Sequence, residues 1–237
     1  LGTDNTKLSK RNGEVSIAWY REEGFLPEAI CNYLALLGWS PGDDRENISM
    51  AELVELFNIE RVNSSPARFD MKKLEAINGD KIRALTTDDF LARALPFLIQ
   101  EKVISGKPDE VEQVKKALPI IQERIARLKE VVPMLRFLFV EEVLFDDGNE
   151  EKLKDSQAQK VLQSAISSLE SVAEWNHQEI ENALRAALLD EMGLKPRIAF
   201  SPVRIAITGS HISPPLFESM ELLGRERSMQ RLRAAIN

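Results

Sequence analysis

The sequence predicts an all-α, mainly helical chain built in several parts. Three observations carry this. Apolar residues recur at three- and four-residue spacing along nearly every segment. Helix start signals precede those runs, and strand signals are weak throughout. No consistent repeat of about 34 or 40 residues occurs, so a helical solenoid is not supported.

In chain order, Leu26-Pro27-Glu28 opens a helix in which Ala29, Ile30, Tyr33, Leu34 and Leu37 share one side, closed by Gly38. Ser49 and Glu52 have capping-box spacing, each side chain able to bond the other residue's free N–H, ahead of Leu53, Leu56 and Phe57. Asp70 caps the next helix, with a stop expected at Asn78-Gly79. Thr87 precedes a helix through Phe90, Leu91, Ala94 and Leu95, which Pro96 should kink or divide. Pro108 suits a first helical position, and the pattern runs to about Glu130 with a break near Pro119. Pro133 starts a short apolar stretch through Leu138 and Phe139, and Asp146-Asp147-Gly148-Asn149 reads as a linker. Val161, Leu162, Ala165, Ile166, Leu169 and Val172 line the next helix. Asn176 and Glu179 open another, closed by Gly193 after Met192. Ser213-Pro214 signals a start ahead of Leu216, Phe217, Met220 and Leu223; after Gly224 a basic helix runs to Ile236.

Composition narrows the chemistry. Of 237 residues, 43% are hydrophobic, close to the globular average, which excludes a wholly disordered chain. No run approaches the ~18–20 apolar residues of a membrane helix. A single cysteine, Cys31, excludes an intrachain disulfide and a cysteine-only metal site, and two histidines exclude a multi-histidine zinc site. No metal ligands are expected. Leu1 opens without a basic-then-apolar leader, so no signal peptide is expected, and a piece of a longer protein is. Net charge is −7, unevenly spread: +4 over 195–237, −9 over 137–192 and −2 over 1–136. A positive end on an acidic chain permits a local anionic partner, although a solvated helix face has the same composition.

Lys7-Leu8-Ser9-Lys10-Arg11 is hard to read as packing, because three cations within five residues flank a serine in a polar stretch. Ammonium groups on such a loop suit a polyphosphate whose charge grows during reaction. The cluster resembles the KMSKS signature of class I aminoacyl-tRNA synthetases in a KLSKR form. The residues after it are similar to bacterial glutamate–tRNA ligases. The resemblance runs through Trp19-Tyr20-Arg21-Glu22-Glu23-Gly24-Phe25-Leu26-Pro27-Glu28-Ala29, Leu36-Leu37-Gly38-Trp39-Ser40, Glu60-Arg61-Val62 and Ser65-Pro66-Ala67-Arg68-Phe69-Asp70. It closes on Pro214-Pro215-Leu216-Phe217-Glu218 and Leu222-Leu223-Gly224-Arg225-Glu226-Arg227.

The resemblance implies a division into residues 1–13, a KMSKS-type loop ending a catalytic domain; 14–85, a stem-contact domain; and 86–150 and 151–237, two helical-bundle anticodon-binding subdomains. It implies an ATP-dependent ligase, using Mg2+, that attaches glutamate to tRNA(Glu). Lys10 would help bind ATP and stabilise the leaving pyrophosphate, with Lys7 and Ser9 in the same loop. Many relatives have histidine where this chain has Asn12. The HIGH signature and glutamate pocket would lie before Leu1, so these residues alone are expected neither to activate glutamate nor to charge tRNA. Arg204, Ser213, Pro214 and Leu216 align with residues holding anticodon bases. Arg124 aligns with the reader of the third anticodon base, with Arg127 an open alternative three residues on. A cytoplasmic monomer with no DNA or membrane partner is implied.

Other conspicuous residues have plainer readings. Trp19, Tyr33 and Trp39 read as core, Cys31 as an inert buried thiol, and His177 as exposed. His211 lies beside the presumed anticodon loop. The alternative to the whole reading is a helical protein-interaction scaffold without an RNA role, which fits composition equally well but leaves Lys7–Arg11 and Pro214–Glu218 unexplained.

Overall fold

The computed structural model describes residues 16–63 and 67–236. Among them lie thirteen α-helices and no strand. They are α1 (Ile17–Glu22), α2 (Pro27–Leu36), α3 (Met50–Leu56), α4 (Met71–Arg83), α5 (Thr87–Gln100), α6 (Pro108–Gln122), α7 (Val131–Leu135), α8 (Asn149–Leu153), α9 (Ser156–Glu170), α10 (His177–Arg185), α11 (Pro196–Thr208), α12 (Leu216–Leu223) and α13 (Arg225–Ala234). The all-α expectation is met. The chain divides into two compact units, Leu1–Gln100 with Ile121–Val131, and Glu101–Ile120 with Val132–Asn237.

In the first unit α2 packs on α4. Leu26, Tyr33, Leu74, Ile77 and Ile82 are buried there. Two buried asparagines act as cross-ties. Asn32 accepts from Ile48 N (2.8 Å) and donates to Glu46 O (2.9 Å), fixing the approach to α3. Asn78 accepts from Leu26 N (2.7 Å) and donates to Ala126 O (2.5 Å), tying α4 to the start of α2 and to the 121–131 segment. The capping box at α3 is complete, with Ser49 and Glu52 each bonding the other's backbone at 3.1 and 2.9 Å.

Several sequence expectations are corrected here. The helix expected to stop at Asn78-Gly79 continues to Arg83, because Asn78 turns its amide to distant backbone partners instead of ending its own helix. A Cβ at Gly79 would meet Ala126 Cα at an ordinary 3.5 Å, so packing does not require glycine there. Thr86, not Thr87, caps α5, its hydroxyl accepting from Asp89 N at 3.2 Å. Pro96 and Pro119 sit inside unbroken helices. An interior proline costs about 3 kcal/mol. Buried Phe90, Ala94 and Leu98 straddle Pro96, and Val114, Ala117, Leu118 and Ile121 straddle Pro119. Each large apolar side chain so buried stabilises by about 1.5–3 kcal/mol, which outweighs the proline. α6 ends at Gln122, whose amide donates to Ile82 O and Leu85 O, both at 2.9 Å, instead of running to Glu130. Cys31 is exposed, since α2 turns Ala29, Asn32 and Tyr33 inward. Tyr33 and Trp39 are core, whereas Trp19 is only half-buried, edge-on to Tyr20 with ring centroids 5.0 Å apart.

In the second unit α9 packs against α10, α11 and α13, and α12 against α10 and α13. Val161, Leu162, Ala165, Leu169 and Val172 are buried along that face. Asn176 caps α10 through Glu179 N at 2.9 Å. α11 has no counterpart in the sequence reading, although Pro196 at its first position and Gly209 after its last bracket it by ordinary helix rules. The expected linker 146–149 is docked: Asn149 is fully buried, and Asp146 N and Asn149 Nδ2 both donate to Gly209 O, at 3.1 and 3.0 Å.

Candidate nucleic-acid interface

The segment joining α11 to α12 is built from short-range bonds upward. Gly209 terminates α11 at φ +79°, and a Cβ there would strike the Leu144 carbonyl, so glycine is required on two counts. Thr208 Oγ1 donates to Arg204 O and accepts from Ser210 N. Arg204, half-buried, donates Nη1 to Ser213 Oγ and to Pro214 O, both at 2.7 Å. Ser213, Pro214 and Leu216 are buried, so three of the four aligned residues in this segment fix the path of the backbone. The tip that faces outward is His211 and Ile212, the latter 68% exposed. His211 Nδ1 lies 3.4 Å from Asn149 Oδ1, to which Lys152 Nζ donates at 2.8 Å.

The arginines behind the +4 charge of 195–237 are largely committed to the fold. Arg231 is buried and donates to Ile207 O, Phe137 O and Val140 O at 2.7, 2.9 and 2.7 Å. Burial, and then the like charge of Arg227, push its guanidinium down to about 10, so it stays charged at neutral pH. Arg227 donates to Leu138 O and Val140 O. Arg225 donates to Val172 O and lies over the Trp175 ring, and Arg233 pairs with Glu170. Arg231 and Arg227 hold the carbonyl end of α11 and the carbonyls of the 137–140 stretch. The signal was legible, because Ser228, Arg231 and Leu232 share one buried helical face. Lys195 and Arg197, by contrast, are exposed at the start of α11. Arg197 lines a hollow of about 370 Å3 with Lys152, Asp155 and Ser201.

In the first unit the two candidate readers separate cleanly. Arg127 is held by Glu23 at 3.0 Å, Glu130 at 3.1 Å and Glu75 at 3.7 Å. Arg124 is exposed, and its guanidinium makes no hydrogen bond or ion pair among the described residues. Lys7, Leu8, Ser9, Lys10 and Arg11 lie outside the described residues. His177 is exposed as expected and bonds Glu221 at 2.8 Å. No group of three His, Cys, Asp or Glu able to hold a metal occurs among the described residues.

Comparison with known proteins places this architecture. Residues 89–236 match the anticodon binding domain family, and residues 1–76 match the catalytic domain of class I tRNA synthetases (E and Q). The whole chain is 48% identical to a glutamate–tRNA ligase of Saccharopolyspora erythraea and 50% identical to one of Nocardioides. The chain belongs to the anticodon binding domain family, and over its full length it is similar to glutamate–tRNA ligases. It spans about half the length of these curated relatives, 48% and 49%. Two solved members share the fold. A glutamate–tRNA ligase from Elizabethkingia meningosepticum superposes over 99% of this chain and 49% of its own, with TM-score 0.79 at 24% identity. A second, from Elizabethkingia anophelis, covers 98% and 48% with TM-score 0.73 at 26% identity. Within the family frame, the α11–α12 segment and Arg124 both fall in the region matching the anticodon binding domain.

Proposed function

We propose that these residues are the tRNA-recognising part of a glutamate–tRNA ligase, binding the inner corner and anticodon of tRNA(Glu) for a protein that attaches glutamate in two ATP-dependent steps. The observation that carries this reading is the match of 89–236 to the anticodon binding domain family. Geometry supplies the chemistry. Unpaired RNA bases are read by splaying them against side chains and bonding their edges. The Arg204–Ser213–Pro214 lock holds the start of α12 in one conformation, with free N–H groups at a helix beginning that donate to a base edge or phosphate. Leu216 supplies the apolar wall. Arg124 reads the third anticodon base: its guanidinium fork has donors only, so a base edge that also presents donors is rejected.

In this reading 1–13, 14–85, 86–150 and 151–237 act as loop, stem-contact domain and two anticodon-binding subdomains. ATP with Mg2+ serves the complete protein, with Lys10 on the ATP, and the 237 residues alone are catalytically silent. The protein works as a cytoplasmic monomer, with neither DNA nor membrane as partner.

The test is Arg124→Gln in the complete enzyme. Loss of a bidentate contact removes about 1–3 kcal/mol of base discrimination, so preference for glutamate over glutamine tRNA should fall roughly 5- to 150-fold. Unchanged preference rejects Arg124 as reader. In parallel, tRNA affinity should weaken with salt and the anticodon loop should be protected from chemical probes. An anticodon as reactive as in buffer rejects the reading altogether.

A further inference from the structure

The first unit carries an apolar face that the anticodon reading does not use. Met50, Val54 and Phe57 fall at i, i+4 and i+7 along one stripe of α3 and its cap, flanked by buried Leu53. Their exposures are 43%, 79% and 49%, followed by Ile59 at 77% and Val62 at 44% in the next turn. The face is continuous over the Gly38-Trp39 turn: Phe57 lies 5.7 Å from the Trp39 ring, and a Cβ on Gly38 would sit 3.7 Å from Val62. It is also preformed. The capping box and the two Asn32 bonds fix α3 from one side, and Trp39, Ile48 and Leu53 form a small core beneath it.

We propose that this face docks the remainder of the catalytic domain in the complete protein. Five large apolar side chains gathered in thirteen residues exceed the scattered exposure normal on a monomer surface. All five lie inside residues 1–76, which match the class I catalytic domain, while the relatives are about twice as long as this chain. A face belonging to that domain yet exposed among the described residues is complementary to the half of the relatives that this chain does not span. Charge argues against an RNA occupant. Glu55 and Glu60 are exposed around the patch, and carboxylates beside an apolar surface repel phosphates. The inference rests on the catalytic-domain match of residues 1–76 and not on the anticodon assignment, so its test contains no RNA and the two can fail separately.

The experiment is hydroxyl-radical footprinting of the complete protein, read at Met50 and Phe57 by mass spectrometry. The expected result is loss of labelling at both, down to the level of buried Met220. In the double variant Val54→Asp, Ile59→Asp, labelling of Met50 and Phe57 should return while buried Tyr33 stays protected, which certifies that the first unit remains folded. Strong labelling of both residues in the wild-type protein overturns the proposal, and that measurement needs no variant. Protection that vanishes on dilution assigns the face to a second copy and overturns it equally, as does protection that arises only on adding tRNA.

Discussion

Asn78→Ala should unfold the first unit far more readily than the loss of one polar side chain suggests. The residue is fully buried, and its amide serves two main-chain groups far away in sequence, Leu26 N and Ala126 O. Deleting it leaves one donor and one acceptor without partners, in a place where Leu26 itself is 1% exposed and water has little access. At roughly 1–3 kcal/mol for each orphaned group, the cost is about 4 kcal/mol before any cavity is counted. A unit with a stability of about 5–15 kcal/mol loses much of it. With a urea slope of about 1–2 kcal/mol/M, the midpoint should fall by about 2–4 M. Trp19 and Trp39 report on this unit in a Trp175→Phe background. Asn78→Asp adds a sign test. Burial raises the folded pKa of such a carboxyl, and the protonated form can still donate to Ala126 O. Its stability is therefore fully present below the unfolded pKa of about 4 and is lost as pH rises above it. A loss below about 1 kcal/mol for Asn78→Ala, or a flat pH profile for Asn78→Asp, would refute the cross-tie argument.

The same geometry sets the outcome of four other perturbations. Gly79→Ala should be neutral or stabilising by up to about 1 kcal/mol, since its Cβ meets only the movable Arg83 guanidinium, at 3.1 Å, and Ala126 Cα. Gly209→Ala should instead cost more than about 1–2 kcal/mol, the left-handed penalty alone, because it also strikes the Leu144 carbonyl; urea midpoints of the pair decide it. Glu110→Gln should weaken the start of α6 at pH 6, and the difference should shrink as pH falls through the folded pKa of the carboxyl. The Lys107 N–H, with help from Ser105, holds that carboxyl below the usual range, so its contribution is present above the unfolded pKa and lost as pH falls through the folded one. A variant-to-wild-type difference that does not shrink at all as the solution is acidified would contradict this. Cys31 should react with a thiol reagent in the native protein at a rate close to that of the unfolded chain; protection until unfolding would contradict its exposure.

What the sequence made legible was short in range. Ser49 with Glu52, Asp70 with Lys73 and Asn176 with Glu179 lie three residues apart, so their caps can be read from the letters alone. What it hid depended on partners far along the chain. Asn78-Gly79 has the composition of a helix stop, yet the bonds that decide its role span 52 and 48 residues. Cys31 leaves its expected buried place for the same reason: Asn32 goes inside, because Ile48 and Glu46 present it with a donor and an acceptor. The 146–149 stretch has linker composition, and only the carbonyl of Gly209, sixty residues from Asn149, makes it part of the packed unit.

The candidate site illustrates the same limit through charge. Counting side chains marks 195–237 as the cationic end, and a polyanion would be sought there first. Yet a guanidinium bonded to buried carbonyls has its donors occupied and has lost much of its field at the surface. Arg227 and Arg231 are in that state, while Arg225 stays exposed with one donor on Val172 O, and exposed Arg233 pairs with Glu170. The same rule separates Arg124 from Arg127, which formal charge cannot distinguish: three carboxylates surround one and none is bonded to the other. An arginine can read a base only with its fork unoccupied. On the proposed anticodon reading, discrimination belongs to the cations that packing leaves free, while Arg231 pins Ile207 O at the end of α11, just ahead of the α11–α12 segment.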